Sequence, residues 1–366
     1  MERIIVIGGG YAGLAALSEL RQLSGEREIL LIDPGTGHEL IPELPEALRQ
    51  HDPIEEHIVS YGELLRDTGI IHLQRRVVGI SAQEQFVVLD SGEKLGFDWL
   101  VLAVGSVTAY PPIPGLREKS LPLRNAWDTR VIKDQLKYAQ DQRIVVVGGG
   151  LTGVEVAGIL APDHDVWLIE GAPRLLPALG VGLAQYAKER LVRAGVKVIL
   201  GQKLVRVEDT TLVLERDELH YDVLIWAGGI APPPWLRETT DLPLDSRGYP
   251  RVSDQGRLTE RIFVAGDLWR VEVDGEMVPQ TAQLASLAGD YVGRQLTLAL
   301  AGEPLLPPFR PSLRGMLISL DTGIGVGWVI RGGIPVRGSS ARTLKNLSFQ
   351  QYRLKLARLF GRGWPF

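Results

Sequence analysis

Residues 3–33 read RIIVIGGGYAGLAALSELRQLSGEREILLID. A β-branched run over residues 4–7 meets a cluster of glycines, a helical pattern opens, and a second apolar run over residues 29–32 ends on Asp33. Gly8, Gly10 and Gly13 carry the spacing G-x-G-x-x-G. The first glycine allows a tight turn, the second lets backbone approach a pyrophosphate, and the third lets the helix pack closely on the strand. Phosphates then meet a helix N-terminus, where unpaired N–H groups and the helix dipole favour an anion. Asp33 lies twenty residues beyond Gly13, where a carboxylate accepts hydrogen bonds from a ribose. Set between two strand-like runs, this stretch predicts a dinucleotide site.

The chain makes the pattern twice. Residues 143–170, RIVVVGGGLTGVEVAGILAPDHDVWLIE, repeat the glycines at Gly148, Gly150 and Gly153 and the terminal acid at Glu170. The repetition goes beyond the glycines. Short strand-like runs at 70–73, 76–80 and 85–89 and an apolar strand at 98–104 return as 196–200, 203–208, 211–215 and 221–227, a period of about 140 residues. Two nucleotide sites in one chain imply electron transfer between two face-to-face nucleotides. The expected fold is therefore α/β, two Rossmann-like dinucleotide-binding domains followed by a small C-terminal segment.

Proline clusters set the boundaries, because each proline fixes its φ and removes a donor. Pro111, Pro112 and Pro114, then residues 232–234, then EPLLPPFRP at 303–311 divide the chain into 1–110, 111–244, 245–305 and 306–366, with the first and third parts sharing one domain. Helices are expected over 125–140, 183–194 and 280–300, a helical turn over 61–67, and a turn with a short helix over 38–48 around Pro42 and Pro45. After the last boundary come a strand pair at 315–320 and 325–330, a glycine-rich link, and a basic helical tail.

Composition narrows the chemistry. Apolar residues at 45%, charged residues at 23% and a net charge of −4 describe a globular chain with no case for nucleic acid. Cysteine is absent, which excludes disulfides, dithiol and persulfide chemistry, and the six histidines show no metal spacing. A first strand so close to Met1 leads us to expect no signal peptide, and no apolar run reaches the length of a membrane span. Beyond Asp321 there is no acid, while Arg331, Arg337, Arg342, Lys345, Arg353, Lys355, Arg358 and Arg362 follow. A helix over 349–362 would gather Phe349, Tyr352, Leu356, Leu359 and Phe360 on one face, with Lys355, Arg358 and Arg362 opposite. That pattern reads as an interfacial membrane anchor, against the alternatives of packing on the protein or a homodimer contact.

Taken together, the two fingerprints, LVLAVGS (100–106), VLIWAGGIAPP (223–233), IFVAGDL (262–268) and TAQLA (281–285) resemble the two-dinucleotide-binding flavoproteins. Within that superfamily of pyridine nucleotide oxidoreductases the chain most resembles type II NADH dehydrogenases, the single-chain NADH:quinone oxidoreductases. The resemblance implies FAD at the first fingerprint, lined by Tyr11, Ala12, Pro42, Gly105, Gly266, Asp267, Ala282 and Gln283, and NADH at the second, with Gly228 and Glu170. Asp267 would bond the ribityl or phosphate part of FAD, the plain alternative being a helix N-cap. Glu170 favours NADH, since a carboxylate there repels a 2′-phosphate, although Arg174 four residues on could offset that.

Glu155 resembles the family's glutamate in G-x-x-T-G-V-E, near the meeting of flavin, nicotinamide and quinone. There it positions the nicotinamide or relays a proton if burial raises its pKa; the plain alternative is dipole complementarity. Gln283 matches a glutamine on the quinone side of the flavin, but the family's second glutamine is Leu287 here. The implied activity is hydride transfer from NADH, the NAD(P)H partner, to FAD, then two electrons to a membrane quinone, by a cytoplasmic protein held peripherally at the inner face of the cell membrane. Thiol-disulfide and sulfide:quinone reductases share the fold but need cysteines. Left open are a ferredoxin- or rubredoxin-type reductase, a biosynthetic naphthoquinone reductase, and an FAD-containing NADH-sensing scaffold.

Overall fold

The structure, a computed structural model, describes residues 1–49, 51–138, 142–330 and 333–361. Its first unit is built on a parallel sheet in which Arg3–Ile7 lies between Glu28–Ile32 and Trp99–Leu102. Ile71–Leu73 extends one side, and Ile262–Val264, arriving after the whole second nucleotide unit, extends the other. Parallel strands covered on both faces need unbroken apolar runs, and residues 4–6, 100–102 and 262–264 are fully buried.

A second parallel sheet repeats that order strand for strand: Leu121–Pro122, Val223–Trp226, Arg143–Val147, Asp165–Glu170 and Lys197–Leu200. Each unit also carries an antiparallel three-stranded meander, Val77–Ser81 to Lys94–Gly96 in one and Leu204–Val207 to Glu218–His220 in the other. Even a register slip recurs, between Val77 and Gly79 and between Leu204 and Arg206. Where the chain leaves and re-enters the first unit, Val107–Thr108 pairs antiparallel with Ile230–Ala231.

The longer helices are α1 (Tyr11–Leu20), α2 (Ala126–Leu136), α3 (Leu151–Leu160), α4 (Val181–Arg193), α5 (Ala282–Ala301) and α6 (Gly338–Leu359). α1 and α3 follow the two fingerprints. α5 crosses α1 almost backbone to backbone: a Cβ on Gly289 would stand 2.1 Å from the Ala12 carbonyl oxygen, and one on Gly293 2.8 Å from that of Ala16. Asn125 caps α2 by accepting from the Asp128 N–H at 2.8 Å, and Thr281 caps α5 by accepting from Leu284 at 3.2 Å. The helical turn expected over 61–67 is shorter, Tyr61–Leu64. An unexpected two-stranded ribbon, Gly37–Glu39 with Ile58–Ser60, frames the proline-rich insertion.

The C-terminal segment departs most from expectation. The strand pair becomes three strands, Gly315–Ser319, Gly325–Val329 and Ile334–Arg337, the last formed by what read as a glycine-rich link. Pro335 is tolerated there because this strand lies at the sheet edge, where no ladder donor is required of it. α6 starts at Gly338 rather than 349, and its apolar face does not lie free for lipid. Leu356 and Phe360 are 1% and 3% exposed, and Tyr352 and Leu359 pack on the core of the first unit. The charges are taken up as well: Lys355 donates to Asp290 at 2.9 Å and Arg353 to Glu43 at 2.7 Å. Four of the tail cations, Arg342, Lys345, Arg353 and Lys355, thus find acids within the chain. Meanwhile Met316, Ile318, Leu320 and Val326 join the core of the second unit, so the C-terminal segment straddles both units. Positions 139–140 of the expected second helix, and Arg331 and Arg362 of the tail, lie outside the described residues. Among the described residues no helix is long and apolar enough to cross a membrane.

Candidate functional site

Both fingerprints form the same open cradle. Gly8 and Gly148 have φ of +96° and +120°, and a Cβ on either would stand 2.4 Å from a carbonyl oxygen, of Ala103 and Ala227 respectively. On Gly13 and Gly153 it would stand 1.8 Å from the oxygens of Gly8 and Gly148. Gly10 and Gly150, by contrast, face nothing within 4 Å. They precede α1 and α3, whose N-termini have no side-chain cap. Space and unpaired donors coincide where a pyrophosphate would approach, so both sites fit a dinucleotide.

The two acids are fixed in matching ways. Asp33 accepts from Gly9 N–H at 2.7 Å and Gly35 N–H at 2.8 Å, and Glu170 accepts from Gly149 and Ala172, both at 2.6 Å. Carboxylate oxygens so held keep lone pairs for ribose hydroxyls. Burial raises the pKa of Asp33 despite those backbone bonds. Arg174 is spent within its own loop, donating to the carbonyls of Leu179 at 2.8 Å and Pro177 at 3.0 Å.

At the end of Ile262–Val264, Gly266 turns with φ +76°, and a Cβ there would stand 3.0 Å from that of Ala12. Asp267 follows. It is not a cap of α5, which Thr281 serves. Its carboxylate instead accepts from Ser106 Oγ at 2.6 Å and Arg124 Nη2 at 2.7 Å, while its carbonyl accepts from Gln280 at 2.6 Å. Gly105, at φ +67°, puts Ser106 next to this group. Ala282 opens α5, and Gln283 accepts from the Arg314 N–H at 2.7 Å, so it is tied to the start of the C-terminal segment. Pro42 lies in the turn Ile41–Glu43. Gly228 follows the strand Val223–Trp226, and a Cβ there would meet the Trp226 ring at 2.1 Å.

Tyr11, first in α1, meets Tyr352 of α6 and His38 of the insertion with ring centroids 4.5 and 4.7 Å apart. His38 is fully buried, which lowers its pKa to about 4. The neutral ring donates from Nδ1 to the Gly9 carbonyl at 3.1 Å and accepts the Tyr352 hydroxyl at Nε2, 2.9 Å away.

Glu155 is buried in α3 against the C-terminal segment. It accepts from the Ser319 N–H at 2.8 Å and pairs with Lys345 of α6. Burial raises its pKa, even though the Lys345 ammonium and the Ser319 N–H pull the other way. Beside it, Arg342 grips both oxygens of Glu46, from the insertion, and Ser319 Oγ donates to Glu46 at 2.9 Å. Burial works to raise the pKa of Glu46, but Arg342, Lys345 and Ser319 outweigh it and hold it down.

The site therefore brings Glu155 into a buried ion cluster, while the hydrogen bond of Gln283 goes elsewhere, to Arg314. Sequence reading assigned no part in this site to Lys345, Arg342, Glu46, Ser319, Arg124, Gln280, His38 or Tyr352. A signal existed for some of them: an acid-free tail and an insertion with acids at Glu39, Glu43 and Glu46 are complementary in charge. Among the described residues no cluster suited to a metal ion occurs.

Comparison with known proteins identifies the family. The family model described as pyridine nucleotide-disulphide oxidoreductase matches residues 2–289. The chain is 30% identical to the protein named demethylphylloquinone reductase NdbB of Synechocystis, over 95% of this chain and 91% of that protein. It is 27% identical to the type II NADH:quinone oxidoreductase of Staphylococcus aureus over 94% of each. Among solved structures, NDH2 from Plasmodium falciparum in complex with NADH superposes with a TM-score of 0.85 over 98% of this chain and 96% of that one. At 18% identity that is a likeness of fold. The chain belongs to the pyridine nucleotide-disulphide oxidoreductase family.

Proposed function

We propose that this chain is an FAD-dependent NADH:quinone oxidoreductase, with the net reaction NADH + H⁺ + quinone → NAD⁺ + quinol. FAD, when bound, supplies the two-electron relay between the two substrates. The first cradle, with Asp33, Ser106, Arg124 and Asp267, holds FAD, and the second, with Glu170, holds NADH. Asp33 and Glu170 orient the riboses, and the N-termini of α1 and α3 neutralise the pyrophosphates. The net reaction consumes one proton beyond the hydride, and Glu155 with Lys345 holds it at the junction of the units.

The observation that carries the reading is the end-to-end relation to proteins named as quinone reductases in a chain that has no cysteine. A reductase of disulfide or sulfide substrates needs a thiol, and a quinone reductase does not. The 30% relative is named for a demethylated phylloquinone, which favours a naphthoquinone among acceptors.

A lipid-dissolved acceptor implies approach from a membrane surface on the side of the C-terminal segment. With the inner face of α6 packed, the large apolar side chains of this segment left exposed among the described residues are Ile330, Ile334 and Leu347, at 59%, 53% and 50%.

Stopped-flow mixing tests the function. Anaerobic NADH should bleach the flavin rapidly, and a menaquinone analogue should restore the oxidised spectrum much faster than oxygen does. Reoxidation by quinone no faster than by oxygen would sink the quinone reading and redirect the search to a protein acceptor.

A further inference from the structure

The charges beside Glu155 come from separate parts of the chain. Glu46 belongs to the insertion of the first unit, Glu155 to α3 of the second, and Arg342 and Lys345 lie one turn apart on α6. All four side chains are at most 9% exposed. Ser319, at the end of its strand, touches both acids: its N–H donates to Glu155 at 2.8 Å and its hydroxyl to Glu46 at 2.9 Å. That hydroxyl accepts from Arg342 Nη1 at 2.7 Å, and Lys345 Nζ, paired with Glu155, stands 4.0 Å from Glu46. From the insertion, Arg49 reaches Glu46 at 3.4 Å.

We propose that Glu46 and Arg342 are positioning residues that tune the proton held between Glu155 and Lys345. The proposal rests on the quinone-reductase reading above. Glu46 and Arg342 place one negative and one positive charge beside the Glu155–Lys345 pair, with Arg49 at the edge of the cluster on Glu46. Glu46 attracts the Lys345 ammonium and opposes ionisation of Glu155, and both effects hold the proton on the pair. Arg342 keeps Glu46 ionised, and the Ser319 hydroxyl orients the Glu46 carboxylate toward the pair.

A buried ion pair gains little stability over a well-packed apolar one, so stability alone does not account for this arrangement. Its geometry is directed at the neighbouring pair. The proton site is also complete only when the insertion, the C-terminal sheet and α6 are all seated, which ties quinone reduction to assembly of both units.

The test uses the FAD-loaded full chain in two measurements. In the first, infrared pH titration follows the protonated-carboxyl band that disappears in Glu155→Gln. In the second, the quinone-driven reoxidation rate is recorded against pH. Removing the negative charge in Glu46→Gln should move the infrared midpoint, and the alkaline fall of the quinone phase with it, to lower pH by about 1–2 units. The double variant Glu46→Gln/Arg342→Gln removes one charge of each sign, leaves the net charge of the cluster as in wild type, and should return both toward the wild-type positions.

An unshifted midpoint in Glu46→Gln overturns the proposal. So does equal slowing of the bleaching and quinone phases at every pH, or a double variant worse than the single one, because each marks a purely structural role. If wild-type protein is not reoxidised by quinone at all, the functional reading fails and this proposal falls with it. If wild type is reoxidised and only the shift is missing, this proposal alone fails.

Discussion

Glu155 gains its importance from what α6 brings to it, since an acid in an uncapped helix would otherwise only complement the dipole. Burial raises its pKa, although Lys345 and the Ser319 N–H pull the other way. Replacing it by glutamine removes the proton but retains the shape. Glu155→Gln should slow quinone-driven reoxidation by roughly 10²-fold or more, the ordinary contribution of a placed acid or base, while NADH bleaching changes far less. Equal losses in both phases would show that the residue shapes the nicotinamide site instead.

Glu170 sets a second expectation. Its oxygens are held by Gly149 and Ala172, and Arg174 is spent on loop carbonyls, so no cation on the loop after Glu170 offsets its repulsion of a 2′-phosphate. NADH should therefore exceed NADPH in kcat/KM by about 10²-fold or more, and Glu170→Gln should narrow the ratio by roughly tenfold. Comparable steady-state constants for the two nucleotides in the wild type would count against this role.

Helices and insertions decide whether those residues meet. α5 reaches α1 only because Gly289 and Gly293 carry no side chains. A methyl on Gly289 would lie 2.1 Å from the Ala12 oxygen, against backbone that cannot step aside. Gly289→Ala should cost roughly 1–3 kcal/mol and lower FAD content, because Ala12 belongs to the first cradle; thermal melts and flavin absorbance check both.

The insertion is pinned to α6 through His57, which contacts Glu43 at 3.1 Å and Asp52 at 2.9 Å, with Arg353 also on Glu43. Burial acts to lower the His57 pKa, but the two carboxylates outweigh it and raise it. A pKa raised on folding stabilises fully below the unfolded value of about 6.5 and loses that stabilisation as pH rises through the folded value. The Tm gap between wild type and His57→Gln should then be widest near about pH 6 and narrow by roughly 1–3 °C toward about pH 9. A gap indifferent to pH would leave His57 a packing residue.

The same elements explain what the sequence made legible. The two glycine fingerprints were readable because each, with its terminal acid, lies in one short contiguous stretch, 3–33 and 143–170. The Arg342–Glu46 pair, 296 residues apart, has no local signature, and the strand Ile334–Arg337 was hidden by the glycine before it and by Pro335 within it.

Across the whole molecule, α6 is a strap. Its first half lies on the C-terminal sheet and pairs with Glu155 of the second unit, and its second half seals the core of the first with Leu356 and Phe360. Amphipathic periodicity alone cannot distinguish such a strap from a membrane anchor, because an apolar face satisfies either a core or a lipid surface. The distinction is experimental.

If α6 is a strap, Leu356→Ala should lower stability by about 2–5 kcal/mol and leave binding to anionic phospholipid vesicles unchanged. The triple change Ile330→Ser, Ile334→Ser and Leu347→Ser removes only exposed side chains. It should leave the Tm nearly intact and weaken vesicle co-sedimentation, because among the described residues these are the large apolar side chains of the C-terminal segment that stay exposed. The opposite pattern, with Leu356→Ala releasing the protein from vesicles and the triple variant still bound, would mean that α6 unpacks to meet lipid. Lys345 would then leave Glu155 at the membrane, and quinone reduction would have to proceed without that pair.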